Sequence, residues 1–301
     1  MKQSAASLLL LAFLCRPALA QNQPAGTSNR TETAASQLSP DQIRDLIREA
    51  AERDIENAKK QRDYTYIQRA EEHKLDGDGR LKSTEARTYE IMVLYEEQVR
   101  KLIAKDDKPL SDSDAKKEDE KIQKVIEKRK NESESDRRKR LEKQEKDHED
   151  DRQFVKEIAD AYNFRFVGHQ TLDGRETLVI DADPRPGYEP HMKDAKFLPK
   201  FRFRAWLDEG ERQWVKLDIQ CVETVSIDLF LLRMHKGSNI QLEQLRVNDE
   251  VWLPRHIALQ LDARLALFKG LNIAEDVTYR DYKKFRTDTK ILPAGEVQDP
   301  H

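Results

Sequence analysis

The stretch that decides the fold is Trp214-Val215-Lys216-Leu217-Asp218-Ile219-Gln220-Cys221. Apolar residues alternate in it with Lys216, Asp218 and Gln220. Successive side chains of a β-strand point to opposite faces of the sheet, so this period of two predicts a strand with one buried and one solvated face. Such a strand is typical of an antiparallel sheet that is covered on one side only.

The same alternation continues on both sides of this strand. Asp173-Gly174 separates two strand-like runs and is a hairpin signal, and Ile257, Leu259 and Leu261 repeat the apolar period further along. Strands are predicted at residues 165–172, 176–182, 201–207, 214–225, 226–234, 239–247, 251–261, 264–271 and 278–285. About ten antiparallel strands with one apolar face are too many for a flat sheet, so we expect a curled sheet, a barrel or half-barrel.

The N-terminal part supplies a helix and further strands. Ser39 is a suitable N-cap, Pro40 suits the first helical position, and apolar residues then recur at helical spacing to about Arg62. This amphipathic helix is expected to pack on the open side of the curled sheet. Strands are also predicted at 64–70, 81–94 and 99–104, with a turn at 76–79 between the first two.

Residues 111–153 interrupt the strand pattern with an almost continuous run of Lys, Arg, Glu and Asp. Ser111 or Ser113 can begin a helix, and residues 131–135 look like a break, so two charged helices are predicted, supported by opposite charges four residues apart. The apolar heptads of a continuous coiled coil are missing. The insertion is therefore either a solvated surface or a partner-binding arm.

The first 20 residues have the features of a cleavable secretory signal peptide. Lys2 supplies the positive charge, residues 5–14 are an apolar stretch too short to span a bilayer, and Ala18-Leu19-Ala20 fits the cleavage rule. We therefore expect a periplasmic or secreted protein, cleaved near Ala20. The predicted organisation is a signal peptide at 1–20, a flexible leader at 21–38, one half-barrel domain at 39–291 that contains the insertion 111–153, and a disordered tail at 292–301.

Composition narrows the function further. Charged residues make up 37% of the chain, yet the formal charge is only −3, which argues against a nucleic-acid binder, because such a protein would show a net basic face. After the signal, no segment has the length and apolarity of a transmembrane helix. Cleavage would leave Cys221 as the one remaining cysteine, so no internal disulfide is expected.

Residue types that often form active sites show no catalytic or metal-binding spacing. The histidines form no metal motif, and neither a nucleophile elbow nor a phosphate loop is present. Asp76 and Asp78 resemble the start of a calcium loop, but Arg80 and Arg87 occupy positions where that loop needs oxygen ligands. A hairpin turn is therefore favoured at this point.

Two further candidates have simpler interpretations. Asp181 and Asp183 are more typical of a solvated strand end than of a metal site, and Cys221 lies on the apolar face, where a thiol behaves as a small hydrophobe. We expect a non-enzymatic protein with no catalytic residue, no metal and no cofactor. A hydrolase stays an alternative that would need an acid and a histidine to converge in a cleft.

Four turn and strand-end motifs, together with the order of elements, resemble a known group of proteins. The motifs are Asp63-Tyr64-Thr65-Tyr66, Leu75-Asp76-Gly77-Asp78-Gly79-Arg80, Val179-Ile180-Asp181-Ala182-Asp183-Pro184-Arg185-Pro186-Gly187-Tyr188 and Arg246-Val247-Asn248-Asp249-Glu250-Val251-Trp252-Leu253-Pro254. The chain resembles periplasmic lipoprotein carriers and receptors of the LolA/LolB type and, more closely, uncharacterised exported proteins of acidobacteria and similar bacteria that are described as outer-membrane lipoprotein-sorting-like. The resemblance covers about residues 39–291. The insertion 111–153 departs from the standard carriers, and no functional residue transfers.

The resemblance implies an α+β half-barrel with an apolar cavity and a lipid or lipoprotein ligand. We expect a periplasmic or outer-membrane-associated protein that binds an acyl chain, lipid or lipoprotein in the concave face of the sheet, with peripheral contact to a membrane. The expected lining residues are Val215, Leu217, Ile219, Phe230, Leu232, Leu259 and Leu261. The alternative is an envelope protein-interaction or stress-sensing module that docks a protein partner through 111–153, since related regulators of anti-sigma factors share the half-barrel.

Overall fold

A single antiparallel sheet organises the chain. The computed structural model describes residues 38–76, 78–95, 97–227, 232–265 and 269–285. The strands are β1 (Tyr64–Leu75), β2 (Leu81–Leu94), β3 (Glu97–Lys105), β4 (Lys108–Pro109), β5 (Tyr162–Leu172), β6 (Arg175–Pro184), β7 (Phe201–Asp208), β8 (Trp214–Cys221), β9 (Val225–Ile227), β10 (Leu232–Met234), β11 (Asn239–Val247), β12 (Val251–Leu265) and β13 (Lys269–Lys284). Their order is β4-β3-β2-β1-β13-β12-β11-β8-β7-β6-β5, and β10 pairs with β12 and β9.

The sheet is open rather than closed. β4 and β5 stand at the two ends of the order and are not paired with each other in the described part of the chain. The prediction of a mostly antiparallel sheet with a few helices is confirmed. Of the two predicted shapes, the closed barrel is wrong, because no pairing joins the two end strands.

The first helix, α1 (Pro40–Gln61), begins where its capping residues predict. The Ser39 hydroxyl accepts a hydrogen bond from the Gln42 backbone N–H at 3.2 Å, and the Gln42 side chain accepts one from the Ser39 backbone N–H at 2.8 Å. This reciprocal arrangement satisfies two backbone donors that a helix start otherwise leaves unpaired. Pro40 adds the fixed φ of the first helical turn.

Replacement of the Ser39 cap should weaken the fold measurably. Ser39→Ala is expected to lower the free energy of unfolding by about 1 kcal/mol, because the Gln42 N–H loses its acceptor. Urea denaturation measures the change. Ser113→Ala is the control, since Ser113 lies exposed inside the first turn of the next helix, whose cap is Ser111. Equal losses in the two variants would contradict the capping role.

The apolar stripe of α1 covers one half of the sheet. Ile43 and Ile47 pack against Ile180 of β6, and Ala50 packs against Leu178 and Leu207 of β6 and β7. All of these side chains are buried. The helix therefore lies over the part of the sheet that ends at β5, which places it on one face of the predicted curl.

The insertion forms the two predicted helices, α2 (Asp112–Lys130) and α3 (Glu134–Ala161). α2 buries none of its residues, yet Lys101 of β3 pairs with Asp119 at 2.5 Å, and Arg129 pairs with Glu97 at 2.6 Å. The end of α3 returns to the core, where Phe154 is only 2% exposed. The insertion thus links β4, at one end of the sheet, to β5 at the other.

The predicted strands 226–234 and 264–271 are among those that differ from the structure. The run 226–234 contains two short strands, β9 and β10, which pair with each other through Ile227 and Leu232. The run 264–271 is divided between the end of β12 at Leu265 and the start of β13 at Lys269. Both runs have apolar residues on both strand faces over several positions, so a period-two signal does not locate the ends of the strands in them.

Candidate functional site

One row of paired residues crosses nine strands of the sheet, from β5 to β2, and defines its inner face. The pairing joins Phe164, Ala182, Phe203, Ile219, Ile240, Leu259, Glu275, Glu72 and Glu85, in that order, from β5 to β2. Directly paired residues of antiparallel strands point to the same side, so all nine side chains share one face. We call this set the inner row. Its side chains are apolar on the first six strands, from β5 to β12, and are glutamates on the last three, β13, β1 and β2.

The apolar part of the inner row belongs to one core cluster. Ile219, Ile240 and Leu259 are buried in it together with Leu261 and Ile273. The cluster also contains Phe201, Cys221, Val225 and Met234, with Phe197, Phe203, Leu217 and Leu242 partly buried against it. Five strands of the central sheet, β7, β8, β11, β12 and β13, therefore contribute to one continuous, buried apolar cluster.

Only some of the predicted lining residues belong to this buried cluster. The structure brings Ile219, Leu259 and Leu261 together in the cluster and places Leu217 against it. Val215 is buried on the same strand as Leu217 but is not a member of the cluster. Of the remaining two, Phe230 lies outside the described residues, and Leu232 lies in β10 with its side chain outside them.

The acidic part of the inner row is unusual because it is buried. Glu275 is 3% exposed and Glu72 is 4% exposed, while Glu85 is partly buried. Lys74 Nζ lies 2.7 Å from Glu72 Oε1 and 3.8 Å from Glu85 Oε2, and Arg87 forms an ion pair with Glu85. Two of the three carboxylates thus have a cationic partner.

Glu275 is in a different position from these two carboxylates. Its Oε1 atom is buried and has no hydrogen-bond partner in the described part of the chain. Burial raises the pKa of its carboxyl group to about 8, and the nearby charge of Glu72 adds to the rise, against the opposing effect of Arg100 and Arg87. The unliganded protein therefore holds this carboxyl largely neutral at pH 7.

The sequence analysis does not predict the buried carboxylates of the inner row. The last strand was predicted to begin at residue 278, whereas β13 begins at Lys269 and includes Glu275. A usable signal was present, because Ile273 and Val277 flank Glu275 at a period of two. Glu72, by contrast, becomes recognisable only through its pairing with Glu275.

The other acidic candidates have structural roles. Asp76 Oδ1 accepts hydrogen bonds from the backbone N–H groups of Asp78 and Arg80, each at 2.9 Å, so it stabilises the predicted turn. Arg204 donates to Asp181, and this hydrogen bond lowers the pKa of the Asp181 carboxyl despite its partial burial. Within the described ranges, no three His, Cys, Asp or Glu side chains are placed to hold a metal ion.

Cys221 and His73 are two further side chains of types that can act as a nucleophile or a base. Burial raises the pKa of the Cys221 thiol, which lies in the apolar cluster and is unreactive in this setting. On the outer face, His73 Nδ1 is 2.7 Å from Thr84 Oγ1, and His73 Nε2 is 3.4 Å from Glu71 Oε1. This triad-like group lies on paired strands, whose backbone N–H groups serve the sheet, so the arrangement supplies no evident oxyanion hole.

The described residues contain no helix that is both long and apolar enough to cross a membrane. No known protein family matches the chain, and no curated protein matches it either.

Several solved structures are similar to the chain. A DUF1329 family protein from Desulfovibrio piger shows 9% identity and a TM-score of 0.31, covering 82% of this chain and 95% of its own. A putative outer membrane lipoprotein-sorting protein domain from Vibrio parahaemolyticus shows 10% identity and a TM-score of 0.27, covering 80% and 95%. A LolA superfamily protein from Nitrosomonas europaea shows 9% identity and a TM-score of 0.28, covering 80% and 92%.

The Vibrio and Nitrosomonas proteins carry the lipoprotein-sorting and LolA descriptions of the group that the sequence motifs resemble, so the predicted resemblance to that group is confirmed.

Proposed function

We propose that this protein is a non-enzymatic, exported envelope protein that holds an acyl chain, free or as part of a lipid or lipoprotein, against the apolar part of its inner row. The observation that carries the proposal is the cluster in which β7, β8, β11, β12 and β13 bring Phe201, Ile219, Ile240, Leu259 and Ile273 to one face. The export signal predicted at residues 1–20 supports the envelope location.

Apolar burial would supply the affinity. Each buried methylene contributes about 0.8 kcal/mol, so a chain of about ten methylenes gains roughly 8 kcal/mol. Association costs of similar size are subtracted from this gain. A carrier that must release its ligand is well served by such a modest net affinity.

Native mass spectrometry of the protein purified from its own envelope fraction tests the proposal. We expect acyl-chain adducts on the wild type and at least about tenfold less adduct on Leu217→Gln, because the amide places polar atoms beside the apolar cluster. Val167→Gln is the matched control, since Val167 is 42% exposed on β5. A wild type that carries no lipid under gentle conditions, and takes none up from a fatty acid solution, would overturn the proposal.

The surface of α2 favours a second function, docking of an envelope protein partner through the insertion. α2 buries no residue, and Lys116, Glu120, Lys124 and Glu127 are exposed on it. Reversing these four charges leaves the ion pairs of α2 with β3 in place. Loss of captured partners in the reversed variant, compared with the wild type, supports docking, and an unchanged set of partners excludes it.

A further inference from the structure

Along the inner row, the side chains change from apolar to acidic between two directly paired residues. Leu259 of β12 belongs to the apolar cluster, and its partner across the ladder is Glu275 of β13. Neighbouring strands lie about 4.8 Å apart, so an acyl chain that reaches Leu259 ends within one strand spacing of a buried carboxyl group. The buried apolar cluster thus adjoins the buried carboxyl groups directly, since β12 and β13 are neighbouring strands.

The charges around this point leave one carboxyl unmatched. Lys74 forms an ion pair with Glu72, and Arg87 forms one with Glu85. The Oε1 atom of Glu275, like that of Glu72, is buried without a hydrogen-bond partner in the residues that the structure describes. A buried polar atom without a partner costs free energy comparable to a lost hydrogen bond. A ligand group that donates a hydrogen bond to this atom would recover that free energy.

We propose that Glu275 binds a primary ammonium group at the polar end of the ligand, so that the site takes an amine-bearing amphiphile. The inference rests on the proposed function, because the acyl chain of the same molecule would lie along Leu259, Ile240 and Ile219. A positive charge suits the site because Glu275 and its paired neighbour Glu72 face the same side. A metal ion fits less well, since within the described ranges no group of three metal ligands forms.

The ionisation of Glu275 gives this binding a pH dependence. The charged groups that act on its pKa are Glu72 on β1, Arg87 on β2 and Arg100 on β3, and Leu259 on β12 is apolar. An ammonium group binds the ionised carboxylate, whose fraction grows as the pH rises and reaches one half at a pH of about 8. Affinity for an amine should therefore increase by about tenfold between pH 6.5 and pH 8.

Titration calorimetry with decylamine and decanol tests the inference, because the two probes share a chain and differ in the end group. We expect the wild type to bind decylamine at least about tenfold more tightly than decanol at pH 8. Glu275→Gln should remove this preference, so that the two probes bind with similar affinity. Asp276→Asn is the matched control, since Asp276 follows Glu275 on the strand and bonds His256 on the opposite face.

The outcomes separate this inference from the function on which it rests. Equal binding of the two probes by the wild type, or a preference that survives in Glu275→Gln, overturns the ammonium site and leaves the acyl-chain site standing. Binding of neither probe overturns both. Vesicles of phosphatidylethanolamine and of phosphatidylcholine then separate a primary ammonium headgroup, which donates hydrogen bonds, from a quaternary one, which donates none.

Discussion

Phe154→Ala is expected to lower the free energy of unfolding by about 3–5 kcal/mol, although Phe154 follows directly on the charged insertion. The side chain is 2% exposed and packs in a cluster with Tyr162, Ala195 and Leu198, and its ring lies 5.9 Å from that of Phe197. Truncation leaves a cavity among these groups. Urea denaturation followed by circular dichroism measures the loss.

Leu141 offers a control on the same helix. Its side chain is 40% exposed, so Leu141→Ala should change the free energy of unfolding by less than about 0.5 kcal/mol. The contrast tests whether α3 is an integral part of the fold at its C-terminal end and a solvated surface at its N-terminal end. Similar small losses in both variants would show that α3 is peripheral to the fold along its whole length.

The elements that sequence reasoning predicts correctly are those with local signals. The alternation at 214–221 and the turn at Asp173-Gly174 correspond to β8 and to the β5–β6 hairpin, because strand period and turn chemistry are encoded in neighbouring residues. The capping residue Ser39 likewise marks the start of α1. Ser111, one of the two predicted starts, does the same for α2, and the predicted break at residues 131–135 separates α2 from α3.

The order of the sheet could not be predicted in this way. β1 pairs with β13, and Glu72 and Glu275 meet although about two-thirds of the chain separates them. Only this pairing turns an ordinary glutamate in each strand into a buried acidic pair. The apolar part of the candidate site can therefore be predicted from the sequence, because its residues follow a local period of two. The carboxylates cannot, because their position depends on the long-range register of β1 and β13.

Glu275 should make the wild type less stable as the pH rises from 5 to 8, by about 3 kcal/mol relative to Glu275→Gln. Burial raises the pKa of this carboxyl from 4.5 to about 8 in the folded protein. Below pH 4.5 the group is protonated in both states and has no effect. Between the pKa of the unfolded chain and that of the folded protein, only the unfolded chain releases the proton. Each pH unit in this range therefore lowers the free energy of unfolding by up to about 1.4 kcal/mol.

Other groups also titrate, which is why the comparison needs a variant. The hydrogen bond that His256 Nε2 donates to the Asp276 carboxylate raises the pKa of His256, so the stability that this pair contributes is lost as the pH rises through the raised value. His256 is present in both proteins, and its effect cancels in the difference between them. Urea denaturation at half-unit steps from pH 5 to 8.5 gives that difference directly.

The shape of the difference identifies the group responsible. It should grow from pH 5, flatten above pH 8 once Glu275 is ionised in both states, and be absent from Glu120→Gln, which alters an exposed carboxylate on α2. Parallel profiles for the wild type and Glu275→Gln would mean that water reaches the carboxyl freely. The ammonium site would then lose its physical basis, because a hydrated carboxylate gains little from a ligand that must first displace its water.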